Sequence, residues 1–112
     1  MIEVVHCKKV PDCVYIGRPN PLGNPFTHKK GTKAEFIVAT RELAVESYRN
    51  YIMQKLVEKD EAIINEFKKL KALALTDDLK LGCWCAPQAC HGDVVKDLIE
   101  RSILQDEARK KK

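Results

Sequence analysis

The chain contains no apolar run near the ~20 residues that a membrane span requires, so no membrane partner is expected. It also has no internal repeat, no low-complexity segment and no linker. The N-terminal MIEVVHCKKV lacks a basic segment followed by a long apolar stretch, so it does not read as a signal peptide and cytoplasm is the expected compartment. Five cysteines are an odd number, and in a reducing compartment they suit free thiols or ligands better than a disulfide framework. No C-x-x-C lies beside a strand pattern, which leaves a thioredoxin-like redox role without specific support. The phosphate-loop pattern G-x-x-x-x-G-K-[ST] is missing too. THKKGTK only approaches it, and His28, Lys29 and Lys30 are read as solvated. Aromatic residues make up only 6%, with one tryptophan, Trp84.

A basic face is also lacking. The net charge of +4 sits in Arg109, Lys110, Lys111 and Lys112, and without them 16 basic residues balance 16 acidic ones. Sequence-specific nucleic-acid binding needs basic residues clustered on the folded body, so it is not expected. The four terminal residues are read as a frayed, solvated tail on a single domain spanning residues 1–108. With 112 residues, 45% of them hydrophobic and 32% charged, the chain is an ordinary globular one, large enough to build a core without staples.

The β-branched run from Ile2 to Cys7 suggests a strand, and CVYIG, from Cys13 to Gly17, a second and more buried one, with a Pro11-broken turn over Lys8 to Asp12. From Lys33 to Leu56 the period turns helical. Ile37, Ala44, Tyr48, Tyr51 and Ile52 share one face, and Thr32 with Glu35 forms a capping-box signature. A second helix is expected over roughly Asp60 to Ala74, with Ile63, Phe67, Leu70 and Ala74 in its stripe. Leu79 to Cys85 reads as a short strand. Gly92 to about Glu107 reads as the last helix, with Val94, Val95, Leu98, Ile99 and Ile103 facing the core. The expected fold is α/β, a small and at least partly parallel sheet of about three strands covered by about three helices.

Two stretches carry chemistry. GRPNPLGNPF, residues 17–26, holds three prolines within seven positions. Each proline fixes its own φ, and Arg18, Asn20 and Asn24 are each pushed toward extended conformations by the proline that follows. The loop is therefore stiff. Its guanidinium can grip a phosphate or carboxylate, and its amides can read a base or sugar. The alternative is a turn that caps the sheet, with the Asn side chains bonded to nearby backbone.

GCWCAPQACHGD, residues 82–93, gathers three cysteines and a histidine. Alternation along the strand points Cys83 and Cys85 to one face and Trp84 to the other, as a core or helix-facing anchor. Cys90 falls near a helix start, whose unpaired N–H groups favour negative charge. Three readings stay open. Cys83, Cys85, Cys90 and His91 can form a Cys₃His zinc set, although the spacing is not that of a standard finger or ribbon. Cys90 beside His91 can be a nucleophile of lowered pKa. Or the cysteines are small buried hydrophobes, with His91 bonded to backbone and Asp93 capping the helix.

IGRPNPLGNPF and GCWCAPQACHGDVV together resemble the signature pair of a bacterial and phage family catalogued as domain of unknown function 4326, and RELAVESYRNYI resembles its intervening helix, with Tyr48 in place. The resemblance implies that both motifs serve one site. On the loop it carries over Gly17, Arg18, Pro21, Leu22, Gly23, Asn24, Pro25 and Phe26. On the cluster it carries over Cys83, Trp84, Cys85, Pro87, Cys90, His91 and Asp93. In open α/β sheets, crevices beyond the C-terminal ends of strands hold ligands. A guanidinium, amides, a helix start and a histidine suit an anionic, sugar-containing ligand. The expected function is therefore binding, hydrolysis or transfer of a nucleotide or related N-glycoside. Gly17, Arg18, Gly23, Asn24, Pro25, Phe26 and Tyr48 would contact the ligand, and His91, Asp93 and Cys90 would be the candidates for chemistry. The competing expectation is a zinc-stabilised interaction module directed at a host protein.

Overall fold

Leu79–Cys83 is the strand on which everything else is hung. In the computed structural model, which describes residues 1–18, 20–27, 36–84, 86, 88 and 90–110, with backbone alone at 26–27 and 36–37, four of its five residues are buried. In chain order the elements are β1 (Ile2–His6), β2 (Val14–Tyr15), β3 (Phe26–Thr27), β4 (Phe36–Ile37), α1 (Arg41–Val57), α2 (Glu61–Thr76), β5 (Leu79–Cys83) and α3 (His91–Lys110). The main sheet has the order β1-β5-β2 and is wholly parallel, as expected of a strand buried on both sides. Ile2 pairs with Leu79 and His6 with Cys83 on one edge, and Val14 with Leu81 and Tyr15 with Gly82 on the other. Beyond the strands, Cys7 N–H reaches Cys83 O (2.9 Å) and Ile16 N–H reaches Gly82 O (3.0 Å). The short strands β3 and β4 form a separate parallel pair.

The two faces of the sheet are covered differently. Leu79 and Leu81 point with Ile2 into the main core, where Ile52 of α1, Leu70 of α2 and Val95 and Ile99 of α3 meet them. Each such side chain contributes about 1.5–3 kcal/mol by leaving water. The opposite face carries Glu3, Lys80 and Gly82. Because β5 lies between β1 and β2, residues 7–13 must carry the chain across it, and they cross at Gly82. A Cβ there would collide with Cys13 Sγ and stand 3.3 Å from Cys7 Cβ, so only glycine lets the crossing lie this close.

The helices follow their apolar stripes. Ala44, Tyr48 and Ile52 are the buried residues of α1, and Ile63 and Leu70 those of α2. The caps are Thr40, whose Oγ1 accepts from Leu43 N–H (3.1 Å), and Asp60, whose carboxylate accepts from Ile63 N–H (3.2 Å). Arg49 pairs with Asp97 (3.0 Å) between α1 and α3, and Lys71 pairs with Asp106 between α2 and α3. These partly exposed pairs fix orientation more than they add stability.

Several boundaries differ from the sequence expectation, and the second strand, expected over Cys13 to Gly17, is a two-residue edge strand, Val14–Tyr15, that is only partly covered. The first helix starts at Arg41 rather than Lys33, because Phe36 and Ile37 are taken up in β4 and the Thr40 hydroxyl sets the start. The proposed cap pair Thr32 and Glu35 lies outside the described residues. The last helix runs on to Lys110, so Arg109 and Lys110 form its final turn, where positive charge complements the helix dipole. Strand β5 stops at Cys83, short of Cys85. No helix among the described residues is long and apolar enough to cross a membrane.

Candidate functional site

The loop after β2 is built largely by its own asparagines. Asn20 Oδ1 accepts from Leu22 N–H (2.8 Å), closing a turn that Asn20 N–H to Gly17 O (2.9 Å) and Gly23 N–H to Asn20 O (2.7 Å) extend. The Asn20 amide also donates to Tyr15 O (3.3 Å) and reaches Glu66 Oε2 of α2 (3.5 Å). Asn24 Nδ2 donates to Ala44 O on α1 (3.3 Å), and Arg18 Nη1 donates to Asn24 O (2.6 Å). Buried between loop and helix, the Tyr48 hydroxyl donates to Leu22 O (2.7 Å). Loss of contact with water pushes the Tyr48 phenol far above its ordinary pKa, so it remains a donor. The amides thus hold the loop in shape, and Tyr48 acts as its anchor rather than as an open contact surface.

The start of α3 is a capping box with a sulfur in it. Cys90 Sγ accepts from Gly92 N–H (3.3 Å), while Asp93 Oδ2 reaches back to accept from Cys90 N–H (3.1 Å). Asp93 N–H bonds Cys90 O (3.1 Å), so the amides of Gly92 and Asp93, expected to be open to an anion, are taken by Cys90. Cys90 Sγ also lies 2.9 Å from Cys83 Sγ, with both side chains buried. The bond to Cys83 and then burial push the Cys90 thiol well above its usual range, outweighing the Gly92 amide. The lowered pKa expected of a nucleophile at a helix start is therefore not found.

His91, 8% exposed, stands at the meeting point of the two motifs. Its Nε2 lies 2.9 Å from Ile16 O, the residue before Gly17, and its ring meets that of Tyr48 edge-on at 5.1 Å. A carbonyl can only accept, so Nε2 carries the proton and Nδ1 keeps a lone pair. Burial lowers the His91 pKa below its ordinary value. The Ile16 bond opposes that shift, and the Arg18 charge adds to it.

The fold therefore brings together Arg18, Leu22, Tyr48 and His91, at the C-terminal ends of adjacent parallel strands. It sets Asp93 at the surface as a cap and Cys83 with Cys90 in a small buried cluster of their own, against Val4. Cys85 and Pro87, His28, Lys29 and Lys30, and the side chain of Phe26 lie outside the described residues. Among the described residues no group of three or more His, Cys, Asp or Glu side chains has metal-holding geometry. Two thiolates on one tetrahedral zinc would sit about 3.8 Å apart. Cys83 and Cys90 hold their sulfurs closer together than that, at 2.9 Å.

Trp84 is the largest departure from the sequence reading. It is 56% exposed, not a core anchor. Its Nε1–H donates to Tyr15 Oη (3.2 Å), its ring meets His6 edge-on at 5.9 Å, and Lys8 Nζ lies 5.3 Å from its centroid. Alternation assigned it correctly to the face opposite Cys83, but that face carries the 7–13 crossing instead of a helix. Tyr15, opposite Gly82 and 37% exposed, was missed for the same reason.

Residues 3–101 match the model of a family described as Domain of unknown function (DUF4326), and the chain belongs to that family. Comparison with curated proteins and with solved structures found no match.

Proposed function

We propose that this member of the DUF4326 family binds a small anionic, sugar-containing ligand, a nucleotide or related N-glycoside, in the crevice beyond the C-terminal ends of β2 and β5. The observation that carries this reading is the convergence of the two motifs. The hydrogen bond of His91 to Ile16 O brings the start of α3 against the Arg18 loop, at the edge of a parallel sheet where ligands commonly bind. Arg18 spends one N–H of its guanidinium on Asn24 O, and a guanidinium has five. It is the natural phosphate partner, in a loop anchored by the Tyr48 hydroxyl on Leu22 O. Hydrolysis or transfer at the glycosidic bond is the finer reading. There, the Nδ1 lone pair of a neutral His91 is the group suited to take a proton.

Titration calorimetry with a panel of nucleosides, nucleotides and sugar phosphates tests the proposal. At least one nucleotide should bind the parent chain. Arg18→Ala should lose roughly tenfold or more in affinity, as expected for removing a charged hydrogen-bond partner, with an unchanged circular dichroism spectrum. A silent panel, or an Arg18→Ala variant that binds as tightly as the parent, overturns the proposal. Base or phosphate release over hours separates an enzyme from a sequestering protein. No observation among the described residues favours the zinc-module reading over this one, and elemental analysis of the purified chain decides between them.

A further inference from the structure

The only tryptophan of the chain is held in place yet left in water. Three neighbours orient it: the Tyr15 hydroxyl on its N–H, His6 with its ring set perpendicular to the indole, and Lys8 near its ring. Since Nε1–H is already satisfied, what the indole offers to a newcomer is its π surface. Tyr15 Oη in turn donates to Arg18 O (3.0 Å), so two hydrogen bonds connect the indole to the residue proposed to hold phosphate. Gly17 makes this link possible, since a Cβ there would run into the Tyr15 hydroxyl. One glycine of the first motif thus maintains the position of a tryptophan in the second.

We propose that Trp84 is the stacking surface for a planar nucleobase, and that it makes the site prefer nucleotides over sugar phosphates. This rests on the nucleotide reading and adds to it the group that recognises the base. An aromatic face beside positive charge matches a ligand with a flat ring at one end and an anion at the other. Lys8 is exposed, and exposed side chains change rotamer within nanoseconds, so it can leave the ring and turn its charge toward the phosphate. Every base has a π-face, so stacking discriminates weakly among bases. Edge-reading hydrogen bonds would be needed for more.

The sole tryptophan makes the test direct. Indole emission is followed while each of the four common nucleoside monophosphates, and separately ribose 5-phosphate, is added. Affinities are measured in parallel by calorimetry on the parent chain, Arg18→Ala, Trp84→Leu and Trp84→Phe. The expected result is quenching by all four nucleotides, with ribose 5-phosphate binding more weakly. Trp84→Leu should weaken nucleotide binding roughly tenfold or more, leave ribose 5-phosphate unaffected and keep its circular dichroism spectrum. Trp84→Phe should retain most of the affinity. If nucleotides bind and Arg18→Ala abolishes that binding, while Trp84→Leu binds them as tightly as the parent, the crevice stands and the role of Trp84 is overturned. Ribose 5-phosphate binding as tightly as the nucleotides overturns it as well. If none of the five probes binds, both the crevice and the stacking surface fall.

Discussion

Cys83 and Cys90, at the end of β5 and the start of α3, hold their sulfurs 2.9 Å apart in a site closed to water. A helix start ordinarily favours a thiolate. Here the neighbouring sulfur and the loss of water act in the opposite direction, and Cys90 stays protonated as the cap of its helix.

The reactivity of the thiols should follow. With iodoacetamide at pH 8 the native chain should be labelled at Cys7, which is partly exposed, well before Cys83 or Cys90. Cys13 should lag behind Cys7 until the pH is raised, because burial and then the Cys7 charge push its thiol upward. Peptide mapping after timed quenching gives the order. Labelling of Cys90 ahead of Cys7 would show a reactive thiol and return it to the list of nucleophiles.

Tyr48→Phe should loosen the loop without disturbing the core. The ring and its contact with His91 remain, but Leu22 O loses its buried donor. An unsatisfied buried carbonyl costs about 1–3 kcal/mol. In urea the midpoint should fall accordingly with an unchanged m-value. A loss below about 0.5 kcal/mol, the range of ordinary surface changes, would mean that water replaces the hydroxyl and that Tyr48 does not anchor the loop.

Much of the architecture was legible because its signals are local. The stripes of Ile63 and Leu70, and of Val94, Val95 and Ile99, mark α2 and α3 with their buried faces. The misread segments depend on partners distant in sequence. Ile37 lies seven residues before Ala44, in phase with the α1 stripe, so periodicity could not separate it from the helix. Only its pairing with Thr27 does. The pairing of the two motifs was argued on the condition that their strands be parallel neighbours, which β2 and β5 are. Whether Trp84 is covered or left in water depended on where residues 7–13 cross the sheet, and no pattern around Trp84 encodes that. The high thiol pKa of Cys90 depends on a sulfur seven residues away, whose direction alternation along the strand indicates but whose distance it does not.

His91 gives the fold a pH dependence whose sign can be worked out. In the unfolded chain its imidazole has an ordinary pKa of about 6.5. In the fold, burial first and the Arg18 charge in addition lower it, against the Ile16 bond and the Asp93 charge. Well above pH 6.5 both states hold a neutral ring and stability is flat with respect to this group. As the pH falls below that value the unfolded chain takes up a proton that the folded chain refuses. Stability then declines by at most about 1.4 kcal/mol per pH unit, levelling off once the folded value is passed. The partly exposed carboxylates Asp97 and Asp106, lowered by Arg101 and Arg49 and by Lys71, contribute only at more acid pH and weakly. Urea midpoints between pH 8 and pH 5 should therefore slope downward on the acid side for the parent chain. In His91→Gln, whose amide can still donate to Ile16 O, they should be nearly level. Parallel slopes in the two chains would place the titrating group elsewhere.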